Sequence, residues 1–576
     1  MKRTITLLTF ALALTSAWAS VLINETNFPD ENLRNLATEH DADENGVLSD
    51  DELAEITEIR GEIMNLKGAE HFKNVDYICL WYGSAENPSI ESIDPSLFPK
   101  LYYFSLSDCG GVTSLDLSKN TQLTNFELVR CPNISMLKLP ASVEFVGLEA
   151  KGLTSLDVSR LPKLEQFNMW DSGITDLDFS NNPVLSSIGI TGSEDGKQVL
   201  NSLNLENCNA LENIDIRYTT LKTLTMKHLP IVRSLRMHHN DVTSTTIEDC
   251  AELMDITCDQ NVLGTLYVKD NPSLQAINTE DNYLQVFIAD KCPKLGTVKA
   301  FNNRLMWLDL KDVKKAENIE ESILQIDNQT PNVVAWKLSP TEVGLLVHER
   351  FDMSRVLNLK AKGLSMTPRE TTVDGIRYFV IYNNGPDVAS LVGAANSYEY
   401  VTKWPYPWMD DNTKDNNLPV SLKVTSWEKP ASWIKLSAAS VTALWNDPIV
   451  APTVSRSQDY DGQLTYKSGN ENVVKVDAAT GVLTPVGPGT TTVTVTGAET
   501  DYRKAPAPVS YIVTISLRPG DANADGRVDF KDVQITVDNL LGKAPAGFHA
   551  TAANVSGDNK VDIADVTGIV SIILGK

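Results

Sequence analysis

Between residues 153 and 310 the apolar residues fall into one fixed register. LTSLDV (153–158), LEQFNM (164–169), ITDLDF (174–179) and LSSIGI (185–190) each place apolar side chains at positions 1, 4 and 6 of a six-residue frame. The frame restarts at Leu200, Leu211, Leu221, Val232, Val242, Leu253, Leu263, Leu274, Leu284, Leu295 and Leu305. From Leu200 the steps alternate 11 and 10, so the true period is 21. The longer step from Leu185 to Leu200 leaves GSEDGKQV (192–199) as a loop insertion. One such coil cannot bury its own apolar stripe, and stacked coils bury a continuous core, so the period predicts a solenoid.

Asn or Cys follows the strand positions: Asn120, Cys131, Asn182, Cys208, Asn240, Cys250, Asn261, Asn271, Asn282, Cys292 and Asn303. An inward Asn there bonds the backbone of the bend and forms a ladder from coil to coil. Cys fills the same slot as a small hydrophobe. The chain has seven cysteines, with Cys79, Cys109 and Cys258 completing the set. Cys109 and Cys131 lie one coil apart, within bridging range. Ladder side chains run side by side rather than facing each other, so free thiols are expected. Period, register and ladder together resemble the leucine-rich repeats of internalin-like bacterial surface proteins over roughly residues 67–315. IMNLKGAEHFKNVDYICLWYG (63–83) resembles the opening coil of that family. The resemblance implies a surface that binds proteins or glycans.

One half of each coil is monotonous outside (LDLSKN, LDVSRL, LDFSNN, LYVKDN). The other varies (FNMWDS, IDIRYT, LRMHHN, ITCDQN, INTEDN, VKAFNN). Outward positions of the variable half carry Asn168, Trp170, Asp215, Arg217, Arg236, His238, Asp259, Glu280, Lys299 and Phe301. They form either a solvated sheet surface or a ligand face centred on Trp170, Arg217, Tyr218, Arg236 and His238. Aromatics and Arg are enriched in binding hot spots. His238 and His239 are expected to be a polar pair rather than a metal site, because strand neighbours point to opposite faces.

Three acidic segments share a second pattern. A calcium loop of EF-hand type places oxygen ligands at positions 1, 3, 5, 7, 9 and 12, with Gly at 6 for the turn. Residues 41–52 supply Asp41, Asp43, Asn45, the Val47 carbonyl, Ser49 and Glu52, with Gly46 in place. Residues 521–532 supply Asp521, Asn523, Asp525, the Arg527 carbonyl, Asp529 and Asp532, with Gly526. Residues 554–565 supply Asn554, Ser556, Asp558, the Lys560 carbonyl, Asp562 and Asp565. Position 6 of this third loop is Asn559, expected in the left-handed conformation, and its neutral position 1 predicts weaker Ca2+ binding. The last two loops are offset by 33 residues and lead into VQITVDNLLGK (533–543) and VTGIVSIILGK (566–576). Duplication, Asp at position 12 and the apolar helices make residues 518–576 similar to a dockerin. That resemblance implies Ca2+-dependent docking to a cohesin-like partner, with positions 10 and 11 (Phe530, Lys531, Ile563, Ala564) helping to choose it. The plainer reading is a calcium-stapled terminus.

The remaining segments complete the organisation. MKRTITLLTFALALTSAWA (1–19) has the basic start, apolar stretch and Ala-x-Ala end of a secretory signal. Residues 20–66 read as an EF-hand-like cap, 67–330 as the repeats and 331–428 as a small β-rich module. In the latter, Trp404, Tyr406 and Trp408 either stack on sugars or pack inward. Residues 429–517 resemble a bacterial immunoglobulin-like module through Tyr466, Ser468, Asn470, Val473, Val476, Asp477, Thr480, Gly481, Thr484 and Gly489. The expected fold is multidomain: a leucine-rich-repeat β-solenoid, then β-sandwich modules, then a small α-helical module of calcium loops. A net charge of −25 argues against nucleic acid or an anionic membrane as partner. No later run is long and apolar enough to span a bilayer. No HExxH, GxSxG, P-loop or cysteine-nucleophile pattern occurs, so no enzyme is expected. The leading expectation is a secreted, adhesin-like binding protein. The alternative is a non-catalytic carbohydrate-binding accessory of a polysaccharide-degrading assembly.

Overall fold

The computed structural model describes residues 20–310, 313, 323–385, 388–402 and 417–576. The signal at 1–19 and the aromatics at 404–408 lie outside these. The chain divides into two units. The first holds the residues up to 332 with 354–358 and 397–422; the second holds 333–353, 359–396 and 423–576.

The first unit is built on the 21-residue period. Thirteen strands, one per coil from Glu58–Gly61 to Ile323–Gln325, form one parallel sheet. It begins upstream of residue 67, because Glu58–Gly61 pairs in register with Tyr77–Leu80. The opposite half-coils form shorter parallel sheets, the largest from Thr223–Lys227, Ser244–Glu248, Thr265–Lys269, Val286–Asp290 and Trp307–Asp309. Every frame-starting residue from Leu153 to Leu305 is buried. Each such aliphatic side chain contributes about 1.5–3 kcal/mol on leaving water, which explains why the register is so strict.

The bends follow one rule. The residue before most ladder positions has positive φ, between 37° at Asp171 and 65° at Asn207; Lys119, Asn181 and Lys197, before Asn120, Asn182 and Gln198, do not. The next side chain turns inward. Asn261 accepts from Val242 N (3.2 Å) and donates to the carbonyls of Met237 (2.6 Å), Cys258 and Asp259 (3.1 Å each). Asn282 and Asn303 repeat the set one and two coils on. Asn271 serves the opposite edge, accepting from Cys250 N and donating to Lys269 O. Asn120 and Asn182 keep their donor bonds, but their Oδ1 atoms are orphaned. Twenty-one residues back lie Pro99, which has no N–H, and Leu161, whose N–H already bonds Val158 O.

Two rungs are glutamines that the pattern search missed. Gln198, at the end of the insertion, bonds Ser172 and Ile174, and Gln329 accepts from Leu305 N and donates to Ala300 O. Gln329 stands 26 residues after Asn303 rather than 21, and Gln198 stands 26 after Ser172, which fills the same bend one coil back and bonds Ala150 O. The longer side chain suits the longer coil. All seven cysteines are free. Cys131 and Cys208 bond carbonyls of the preceding coil, Leu106 O and Phe179 O. Burial pushes the thiols of Cys131, Cys208, Cys258 and Cys292 up to about 12.

At the start, α1 (Glu31–Glu39) and α2 (Asp50–Glu55) flank the first acidic loop. Asp30 caps α1 through Leu33 N and takes Met64 N at 2.7 Å, tying the helix to the first coil. Phe28 stacks on Phe72, centroids 5.7 Å apart. Gly68, at φ 101°, is required there, because a Cβ would stand 2.4 Å from the Phe28 ring. At the other end of this unit, Tyr398 donates to Met306 O (2.5 Å), and Val420 bridges Gln329 in parallel.

In the second unit, Val343–Leu346 pairs antiparallel with Ile376–Tyr382, which pairs with Arg369–Val373. Further on, Ser440–Leu444, Val509–Ser516, Gly489–Gly497 and Leu464–Ser468 form a four-stranded sheet, with two two-stranded ribbons beside it. One core joins them through Ile434, Val474, Leu483, Val493 and Tyr511. In one ribbon Asp477 caps the backbone N–H groups of Ala479 and Thr480, and Gly481, at φ 74°, lies under the Tyr466 ring. The chain ends in α3 (Phe530–Leu540), α4 (Ala550–Ala553) and α5 (Ile563–Ile573).

Asn261→Ala removes one acceptor and three donor contacts at a buried bend. It is expected to destabilise the solenoid by roughly 2–4 kcal/mol, against under about 0.5 kcal/mol for the exposed Gln275→Ala, read from the solenoid's urea transition. A thiol reagent at pH 8 is expected to modify Cys79 in the native chain and the other six after unfolding, since Cys79 is the one incompletely buried cysteine.

Candidate functional site

Strict register turns the outside of the thirteen-stranded sheet into columns. Trp170 pairs with Thr191 and Thr191 with Arg217; one coil at a time the column continues through His238, Asp259, Glu280 and Phe301. Beside it run Asn168, Gly189, Asp215, Arg236, Thr257, Asn278 and Lys299. The variable half-coils therefore do share one face. Gly189 is a dip in it, where a Cβ would stand 2.5 Å from Asn168 Oδ1. Trp170 is 38% exposed and stands two coils from Arg217, whose guanidinium pairs with Asp215 at 2.7 Å.

Tyr218, His238 and His239 come together, and this corrects the expectation for the histidines. The strand ends at Arg236, and His239 sits at the bend with φ 58°. The left-handed turn brings its ring round to its neighbour's side. The two imidazole centroids are 5.2 Å apart, and Tyr218 stacks on His239 at 4.5 Å and 14°. Tyr218 also occupies a bend, at φ 52°. Asp259 lies one coil on from His238. Burial lowers the His238 pKa; Asp259 opposes this, while the His239 and Arg217 charges add to it.

The face reaches further toward the N-terminus than the sequence analysis placed it. Tyr77 and Tyr103 stack in register at 4.3 Å and 3°, Arg60 lies over Tyr77 at 4.2 Å, and Trp81 is 47% exposed. Burial, then the Glu127 charge, pushes the Tyr103 phenol up to about 12. The alternation in VDYICLWYG and LYYFSLS carried this signal. On the opposite half-coils, His228, Asp249, Asp270 and Lys291 line an open groove of about 690 Å3. Its polar groups pair internally, His228 with Asp249 and Lys291 with Asp270, both at 2.8 Å.

The three acidic loops share one hydrogen-bond skeleton. The position-12 carboxylate accepts from the N–H of position 9 and from position 2 or 3: Glu52 from Ser49 and Ala42, Asp532 from Asp529 and Asn523, Asp565 from Asp562 and Ser556. In the first two loops the position-1 carboxylate accepts from positions 5 and 6. Asp41, Asp43 and Glu52 hold their ligand atoms within 4.8 Å of one another, as a divalent cation needs. Asp521 and Asp532 are fully buried. Desolvation raises the Asp521 pKa, the bonds from Gly526 and Asp525 oppose this, and the Asp532 and Asp525 charges add to it. The third loop departs from expectation: Asn559 is not at positive φ, and Gly557 at position 4 takes the turn with φ 79°. Asn554 also aims an amide donor at Asp558 O, inside the loop.

The four docking candidates lie on the surface. Phe530 is 67% and Ile563 69% exposed, with Lys531 and Ala564 exposed beside them. Leu541 and Leu574, a second pair 33 residues apart, are exposed as well.

No family model and no curated protein matches the chain. Its similar solved structures are internalins and other leucine-rich-repeat proteins. An internalin from Listeria monocytogenes is 17% identical over 55% of this chain and 95% of its own, with a TM-score of 0.38. The functional domain of InlJ from the same organism, which includes a cysteine ladder, is 15% identical over 71% and 98%, at 0.32. YopM, a leucine-rich effector of Yersinia pestis, is 19% identical over 44% and 72%, at 0.31. At such scores the fold assignment stands on the chain's own 21-residue coils. Among the described residues no helix is long and apolar enough to cross a membrane.

The face residues are not needed by the core. Trp170→Ala and Arg236→Ala are each expected to change stability by under about 1 kcal/mol in thermal unfolding.

Proposed function

We propose that this chain is a secreted, non-catalytic binding protein whose thirteen-stranded face takes a protein ligand. The observation that carries this reading is the register. It holds Trp170, Arg217 and Arg236 on one sheet, with Tyr218 and His238 at the adjoining bends, continuous with the aromatic patch of Tyr77, Trp81 and Tyr103. Exposed aromatics and Arg on a preorganised surface supply hot spots with little ordering cost. Mixed charge along the columns suits a protein epitope better than a neutral sugar. A glycan ligand is the competing outcome of the test, as is the accessory role in polysaccharide breakdown.

Ca2+ would be held by the loop at 41–52, where Asp41, Asp43 and Glu52 converge, by the loop at 521–532 with its buried Asp521 and Asp532, and more weakly at 554–565. When bound, the ion supplies the charge that the clustered carboxylates lack, and binding energy becomes folding energy. In this reading the first loop staples the solenoid's start. The last two order a dockerin-like module whose exposed Phe530, Lys531, Ile563 and Ala564 meet a cohesin-like partner. The immunoglobulin-like strands act as a spacer.

The test uses residues 20–576. Calorimetric titration is expected to show Ca2+ uptake at three sites, with the weakest lost in Asp565→Ala and one strong site lost in Asp532→Ala. Capture of surface and secreted proteins, alongside a glycan array, is expected to yield a protein ligand lost in Trp170→Ala or Arg236→Ala. A second partner is expected to require Ca2+ and to be lost in Asp532→Ala with Asp565→Ala. Glycan binding without a protein ligand refutes the first reading, and full Ca2+ uptake by the double variant refutes the loop assignment.

A further inference from the structure

His238, His239 and Asp259 meet where the face turns into the bend. The ligand atoms of all three lie within 4.8 Å of one another. A tetrahedral Zn2+ with bonds of about 2.0 Å needs them about 3.3 Å apart, so the three groups must draw in on binding, with His238 and Asp259 moving toward the fixed His239. Two further features leave the cluster ready to take a cation. Asp259 is 8% exposed, and among the described residues its carboxylate has neither a hydrogen bond nor an ion pair. With no protein partner to displace among those residues, that carboxylate is open to a cation. The second imidazole, moreover, is held in place. His239 donates its backbone N–H to Asp259 O at 3.2 Å, its φ of 58° fixes the direction of Cβ, and the Tyr218 ring covers one side. The same bend recurs at Gln260 and Asp281 on the next two coils, so the backbone that presents His239 is set by the solenoid itself.

We propose that His238, His239 and Asp259 form a transition-metal site on the solenoid's face, for Zn2+ or a divalent ion of the same preference. Two imidazoles and one carboxylate favour Zn2+, Co2+, Ni2+ or Cu2+ over Ca2+ and Mg2+, which take oxygen ligands. Three protein ligands leave a coordination position to water or to a donor group from outside. The site is therefore chemically distinct from the acidic loops, and it does not depend on what the face binds.

The experiment uses residues 20–576, stripped with chelator and then held in excess Ca2+ to occupy the oxygen-donor loops. Zn2+ is titrated calorimetrically, and Co2+ is followed by its visible absorption, whose intensity reports tetrahedral nitrogen and oxygen ligation. One equivalent is expected. Affinity is expected to fall at least about tenfold in His238→Ala, His239→Ala and the isosteric Asp259→Asn, and to stay unchanged in Asp43→Ala. Circular dichroism confirms that each variant folds, and Asp259→Asn keeps the test open if a histidine variant does not. Absence of Zn2+ binding overturns the proposal, as does binding that survives in His238→Ala with His239→Ala or is indifferent to Asp259→Asn.

Discussion

Each coil must reverse direction twice in 21 residues, and at each reversal backbone N–H and C=O groups leave the sheet with no partner beside them. A buried orphan of this kind costs about 1–3 kcal/mol. One inward amide resolves several at once, as Asn261 does for Val242, Met237, Cys258 and Asp259. The arrangement works if the amide recurs at the same point of successive coils, and at most rungs the residue before it takes positive φ. Everything else in the solenoid inherits that spacing. The apolar frames register because the bends do, and the outward columns are straight because the frames are. Cysteine takes some rungs with a weaker bond to the preceding coil. Glutamine takes the rungs where a coil has grown by five residues.

The same constraint shapes the surface. A residue at positive φ ends its strand by swinging its side chain out of alternation. Asp and Asn tolerate this best, and they fill the position at Asp108, Asp171, Asn207, Asp249, Asp270 and Asn302. Arg130, Tyr218, His228, His239, Gln260 and Lys291 occupy it as well, with longer side chains. A left-handed conformation costs such residues roughly 1–2 kcal/mol. Tyr218 and His239 lie on consecutive coils and stack on each other, next to His238 and Asp259. The bend that completes the ladder at Asn240 is thus also what turns two sequence neighbours toward one point.

Much of this was legible in the sequence, because period is a property of spacing. The 21-residue coil, the buried positions from Leu153 to Leu305, most ladder residues and the common face of the variable half-coils could all be read from residue order. Gln198 and Gln329 could not, because they fall where the period breaks, and a search in fixed steps passes over them. The convergence of His238 and His239 was invisible for another reason. Alternation applies inside a strand, and nothing in HHN announces that the strand has already ended. Asn559 marks the opposite failure. A residue able to adopt the left-handed turn sits at the expected position, but Gly557 two residues earlier takes it at no steric cost.

The C-terminal segment shows what a short duplicated sequence can and cannot hold together. Of its apolar side chains beyond Ala, Val566 and Ile569 are buried, while Phe530, Ile563, Leu541 and Leu574 stand more than half exposed. Its most deeply buried groups include carboxylates, Asp521, Asp532 and Asp565, each satisfied by backbone N–H groups of its own loop. A core so small supplies little net stability to about sixty residues. Folding energy must then come from what the carboxylates gather or from what covers the apolar surface. The exposed residues are spaced 33 apart in pairs, Phe530 with Ile563 and Leu541 with Leu574, so the duplication that copied the loops also copied the uncovered patch. The neighbouring strands add one fixed contact, since Asn446 lies so close over Gly526 that a Cβ there would overlap its amide. Glycine at position 6 of that loop is therefore demanded twice, by the turn and by the neighbour. In the second loop Asn559 stands at position 6, where the turn makes no such demand.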